Sequence, residues 1–98
     1  MNLVVDADAR AELREATAFY EAARPGLGTR FVDAVEAGFR RVGEQPRLYR
    51  RIRGRFRRYL LDRFPYGLIY SIEADCVYVV AVMHLRRKPG YWVKRTTN

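Results

Sequence analysis

The residues of this chain with chemistry to offer are one histidine, one cysteine and a dense run of arginines. The window 47–63 holds eight arginines, Arg47, Arg50, Arg51, Arg53, Arg55, Arg57, Arg58 and Arg63, against a single acid, Asp62. A guanidinium is planar and permanently charged, and it grips carboxylate or phosphate through two parallel hydrogen bonds. It does not carry protons, because its pKa lies above about 12. Charged runs are usually solvated faces of mixed sign. This run is of one sign, so at least part of it is expected to contact an acidic protein segment, a target, or both. His84 is the side chain suited to proton transfer near neutral pH. Its plain alternative is a strand-end histidine bonded to a backbone carbonyl or set against an aromatic neighbour. Tyr91-Trp92 could stack on a base, but a pair of this kind more often folds back to cover exposed sheet. Cys76 reads as a small buried strand residue. One Cys and one His cannot furnish the usual four ligands of a structural metal site. No Gly-rich phosphate loop or Ser-His-Asp set is visible, so neither metal nor cofactor is expected.

The elements that must position these residues fit within 98 residues, enough for one compact domain, 1–98. The charge is uneven. Residues 1–46 carry six arginines against eight acids, whereas residues 47–98 carry thirteen Arg or Lys against Asp62, Glu73 and Asp75. That asymmetry points to an anionic partner, nucleic acid or acidic protein. No apolar segment follows Met1 as a secretory signal would require, and no run is long enough for a membrane helix. A lone thiol suits a reducing compartment. The cytoplasm is therefore the expected location, with no membrane partner.

Asn2 to Val5 is a brief apolar strand. Asp6 and Asp8 can cap the helix that follows. Leu13, Ala16, Tyr20 and Ala23 recur at spacings of three and four, which predicts an amphipathic helix over 9–24. Pro25-Gly26 ends it. Phe31, Val35, Phe39 and Val42 mark a second helix that Pro46 stops, and so short a turn implies an antiparallel hairpin. Residues 47–54 read as an irregular basic connection. Strands follow at 55–64, 67–72 and 77–83, the last a nearly continuous apolar run suited to the centre of a sheet. The expected fold class is α+β, in the order β-α-α-β-β-β. A helical hairpin lies on one face of a small, mainly antiparallel twisted sheet, and the other face is left open.

Several stretches resemble a known family. Ala11-Glu12-Leu13 leading to Phe19-Tyr20-Glu21, Gly26-Leu27-Gly28 with Phe31, and Arg57-Arg58-Tyr59-Leu60 with Phe64-Pro65-Tyr66 and Ile69-Tyr70 are similar to the RelE/ParE toxin superfamily of type II toxin–antitoxin systems. So is Val82-Met83-His84 followed by Arg86-Arg87-Lys88-Pro89 and Tyr91-Trp92, the ending of ParE-like, plasmid-stabilisation members. The resemblance spans nearly the whole chain, and it implies a toxin held in a hetero-oligomer by a cognate acidic antitoxin. It implies two activities in different branches. RelE-like members cleave messenger RNA on the ribosome; ParE-like members are not nucleases and poison DNA gyrase.

Cleavage by the 2′-hydroxyl needs a base, cations for the charged phosphorane and an acid for the leaving oxygen. By resemblance Arg58 stands where nuclease members bind phosphate and His84 where some place a histidine. Arg87 and Tyr91 would complete the set. The chain departs from the nuclease pattern, because residues 47–63 hold no lysine and no glutamate. The favoured expectation is therefore a ParE-like toxin. Its target- or antitoxin-binding residues are expected among Arg50, Arg51, Arg53, Arg55, Arg57, Arg58, Arg86, Arg87, Lys88 and Trp92. A RelE-like endonuclease, or a non-toxic basic nucleic-acid-binding module, stands as the alternative.

Overall fold

A computed structural model describes residues 1–96. The tail predicted for 85–98 therefore has its last two positions outside the described residues. The chain runs β1 (Asn2–Val5), α1 (Ala7–Ala23), α2 (Leu27–Glu44), β2 (Arg50–Arg53), β3 (Phe56–Leu60), β4 (Tyr66–Glu73) and β5 (Cys76–His84). A short 3-10 turn, Val93–Thr96, follows. The strands form one sheet in the order β1-β5-β4-β3-β2, parallel between β1 and β5 and antiparallel elsewhere.

Asp6 caps α1, its carboxylate accepting the Asp8 N–H at 3.0 Å. At the hairpin Gly26 adopts φ +89°, a left-handed conformation glycine takes without strain. The Glu21 carboxylate accepts the N–H groups of Gly26 and Gly28, so the first helix caps the second. The hairpin lies on one face of the sheet over a core of Phe31, Val35, Val42, Tyr59, Leu68, Tyr70, Val77, Val79 and Val82. Gly38 lets α2 lie close to the sheet. A Cβ there would meet Leu68 Cδ1 at 2.8 Å and Tyr59 Cε1 at 2.9 Å. At one end Tyr20, Phe31, Phe64 and Tyr66 form an aromatic cluster with ring centroids 4.9–6.2 Å apart.

Two expectations change. The 47–54 connection contains a strand: Arg50–Arg53 pairs antiparallel with β3 across a tight turn at Gly54, φ +54°. The order is thus β-α-α-β-β-β-β. All four β2 side chains are exposed, so the segment carries no alternation to betray it. The strand expected at 55–64 stops at Leu60, because Arg63 takes a positive φ of 69° in the turn before β4.

A third correction concerns the open face. It carries its own core of Phe56, Ile69, Val80, Ala81, Met83 and Trp92, with Tyr78, Tyr91 and Val93 at its margin. The tail folds back over the sheet, and Trp92 is 2% exposed with its ring 4.9 Å from that of Phe56. The covering role weighed for Tyr91-Trp92 is the one the tail adopts.

Gly38→Ala should destabilise the fold by about 1–3 kcal/mol, because the added methyl has no space between α2 and the sheet. A lowered thermal midpoint checks this. Alkali supplies a second test. Burial pushes Tyr70 up to about 12, and its bond to Asp6, followed by burial, pushes Tyr78 up to about 12. The neutral phenols are favoured in the fold, so their contribution is whole below the ordinary pKa of 10.0 and lost as pH rises toward 12. Stability in urea should fall between pH 10 and 12, and less steeply in Tyr78→Phe.

Candidate functional site

The site begins with a mismatch of strand lengths. β1 accompanies β5 only from Cys76 to Val79, and the Asp6 N–H adds one bond to the Val79 carbonyl at 2.9 Å. β5 continues to His84 without a strand on that side. Unpaired backbone groups at a half-buried edge are costly and invite pairing with another chain. Side chains close this edge. Glu12 of α1 accepts the Val82 N–H at 3.0 Å, and Arg95 of the tail donates to the Val80 carbonyl at 3.1 Å. Arg95 also forks onto both Glu12 oxygens, at 2.9 and 3.1 Å. The Tyr91 hydroxyl donates to Glu12 as well. The Glu12 and Arg95 side chains are only 10% and 17% exposed. Neither stood among the expected site residues. The signal for Glu12 was an acid within the apolar stripe of Ala9, Leu13 and Ala16.

β5 also carries a bulge. Ile69 pairs with Ala81 while Tyr70 pairs with Val79, which leaves Val80 extra. Val77 and Val79 face the hairpin; past the bulge Val82 does so too, while Val80, Ala81 and Met83 all face the second core. An inserted residue reverses the side of every residue after it. His84, opposite Tyr66, is thereby set on the hairpin side. Arg58, opposite Ile69, lies on the other side.

The four residues of the nuclease reading are thus divided. His84 lines a small cleft against α1 with Glu12, Phe19 and Arg87. Its ring meets Tyr66 edge-on at 5.0 Å, and its Nδ1 accepts the Arg86 N–H at 3.0 Å. Arg87 lies 3.8 Å over the Tyr91 ring and 3.7 Å from Glu12. Burial first, and the Glu12 bond second, hold the Tyr91 phenol well above its usual range, so it has no tendency to act as a base. Arg58 joins none of them.

The other candidate cations separate by their partners. Arg57 faces the hairpin and donates to the Arg47 and Tyr49 carbonyls at 3.1 and 2.7 Å. Arg55 pairs with Glu73 at 3.1 Å and covers the Phe56 ring. Arg51, Arg86 and Lys88 are exposed. Arg53 and Arg58 border a cavity of ≈ 200 Å³ floored by Ile52, Met83, Leu85 and Trp92. Arg50 is the cross-strand neighbour of Arg58. Trp92 belongs to that floor and does not present its indole. Among the described residues no group of His, Cys, Asp or Glu could hold a metal ion, and no helix is long and apolar enough to cross a membrane.

Replacing Arg95 by alanine should leave Glu12 and the Val80 carbonyl without their partner. A loss of about 2–3 kcal/mol is expected, less than for a fully buried pair. Trp92 is the chain's one tryptophan. Its emission should shift to longer wavelength as the tail loosens.

Comparison with known proteins fits this geometry. A solved structure described as the chromosomal ParDE TA system from P. aeruginosa superposes with a TM-score of 0.77 at 14% identity, covering 88% of this chain and 97% of that one. At that identity the likeness is one of fold. No curated protein sequence matches the chain. The family model described as the ParE toxin of type II toxin–antitoxin systems, parDE, matches residues 3–89. The match takes in both helices and all five strands but for Asn2 at the start of β1, and stops short of Tyr91 and Arg95. The chain belongs to the ParE toxin family of type II toxin–antitoxin systems.

Proposed function

We propose that this protein is a toxin that acts by binding a cellular protein rather than by cutting RNA, and that an acidic antitoxin silences it. DNA gyrase is the target the family resemblance suggests. On this reading the protein works in the cytoplasm and is stored there as a toxin–antitoxin hetero-oligomer.

One observation carries the choice against cleavage. Arg58 and His84 stand on opposite sides of the sheet, an arrangement that does not favour one phosphate meeting the cation and the base together. Transition-state stabilisation demands both groups around one reacting centre. The other would-be participants, Arg87 and Tyr91, are tied to Glu12. The surplus of unpaired arginines on one side of the sheet fits binding to an acidic protein surface.

Brief expression in a sensitive bacterium tests the reading through two outputs. A DNA-damage response with intact messages is expected, and His84→Ala should kill within about twofold of wild type. Codon-phased cuts in translated messages, abolished by His84→Ala, would instead establish a ribosome-dependent nuclease. Harmless expression together with steeply salt-dependent nucleic-acid binding would point to a plain basic module.

A further inference from the structure

Arg50 and Arg58 are direct cross-strand neighbours on β2 and β3. Like charges so placed destabilise a sheet, and no ion pair reaches either of them among the described residues. The neighbouring pair, Arg51 and Arg57, differs, because two backbone carbonyls hold Arg57. Arg53 adds a third uncompensated guanidinium near the tail, where a Cβ on Gly90 would lie 3.4 Å from its Nη1. Between these cations the surface is aliphatic. Ile52 and Leu85 are 37% and 40% exposed, and Met83 lies beneath them. The chain thus keeps a slot of ≈ 200 Å³ with an apolar floor, bordered by two arginines that no ion pair neutralises among the described residues. The larger cleft beside α2 behaves differently, since Asp33 and Asp62 there balance Arg30 and Arg63.

We infer that the slot bordered by Arg53 and Arg58, with Arg50 across the strand from Arg58, receives an extended acidic peptide segment of the antitoxin, which seats one aliphatic side chain between Ile52 and Leu85 and places carboxylates on these guanidiniums. This rests on the antitoxin reading above and assigns it a place. Successive side chains of an extended chain alternate sides, so one apolar residue can point into the slot while neighbouring acids reach the arginines at its rim. Each carboxylate gains two parallel bonds to a guanidinium. Nucleic acid fits less well, because single-strand recognition uses exposed rings. Here Trp92 is buried, Phe56 is 8% exposed and Tyr91 lies between Arg87 and Arg95. A second copy of this chain would bring the same arginines to itself and be repelled.

The probe is the full-length product of the small acidic open reading frame expected beside this gene, labelled and titrated with the intact toxin by fluorescence anisotropy. The double variant Arg50→Glu/Arg58→Glu should bind about 100-fold more weakly, and Arg58→Gln about 10-fold more weakly. Arg40→Glu, an exposed reversal on α2, should stay within about twofold of wild type. Should the double variant fail to fold, as judged by circular dichroism, Arg58→Gln against Arg40→Glu decides alone. Unchanged tight binding by every variant overturns the slot and leaves the antitoxin reading standing. No binding by wild type sinks that reading, and the slot with it. Arg58-dependent binding of a 20-nucleotide single-stranded RNA, without binding of the acidic protein, overturns both in favour of nucleic acid.

Discussion

β5 is nine residues long, and only its first four have a strand on their outer side. Most of what is particular to this molecule follows from that shortfall. β1 stops opposite Val79, the bulge falls at Val80, and the Val80 carbonyl and Val82 N–H are met by Arg95 and Glu12. A longer β1 could have satisfied the same groups. Using a helix glutamate and a tail arginine instead fixes how α1 lies along β5. It also brings the end of the chain across the sheet, with Trp92 folded against Phe56. The ion pair is bidentate and largely desolvated, the setting in which such a pair holds geometry most firmly.

The bulge then sorts the chemistry. Without the extra Val80, simple alternation would carry His84 to the side occupied by Arg58. With it, His84 closes the end of an aromatic cluster under the helices, and Arg58 remains with Arg50 on the far side. One face becomes a packed interface with the hairpin, whose core is apolar and aromatic. The other becomes an aliphatic surface rimmed by guanidiniums.

The helices and β5 were legible from sequence because burial on one side imposes a 3.6-residue stripe, and burial on both sides a continuous apolar run. β2 was not, since Arg50, Arg51, Ile52 and Arg53 are all exposed and only Gly54 hinted at a hairpin. The arginine excess could be counted, but its division between two faces could not. That depends on the register of β3 on β4 and on a bulge that no residue type at Val80 announces. Glu12 and Arg95 lie 83 positions apart, and nothing local to either marks the other. Trp92 was correctly expected to cover sheet, yet it also stood among the binding candidates, a role its burial does not serve.

The claim that side chains complete the edge of β5 is tested most directly by residue-resolved amide hydrogen exchange at Val82. In the wild-type chain this amide should exchange slowly although no strand lies beside it, and in Glu12→Ala it should exchange far faster while Val79 and Leu68 keep their protection. If Val82 stays equally protected after Glu12 is removed, the edge is held by something else, and the account of the tail and the open face built on it is wrong.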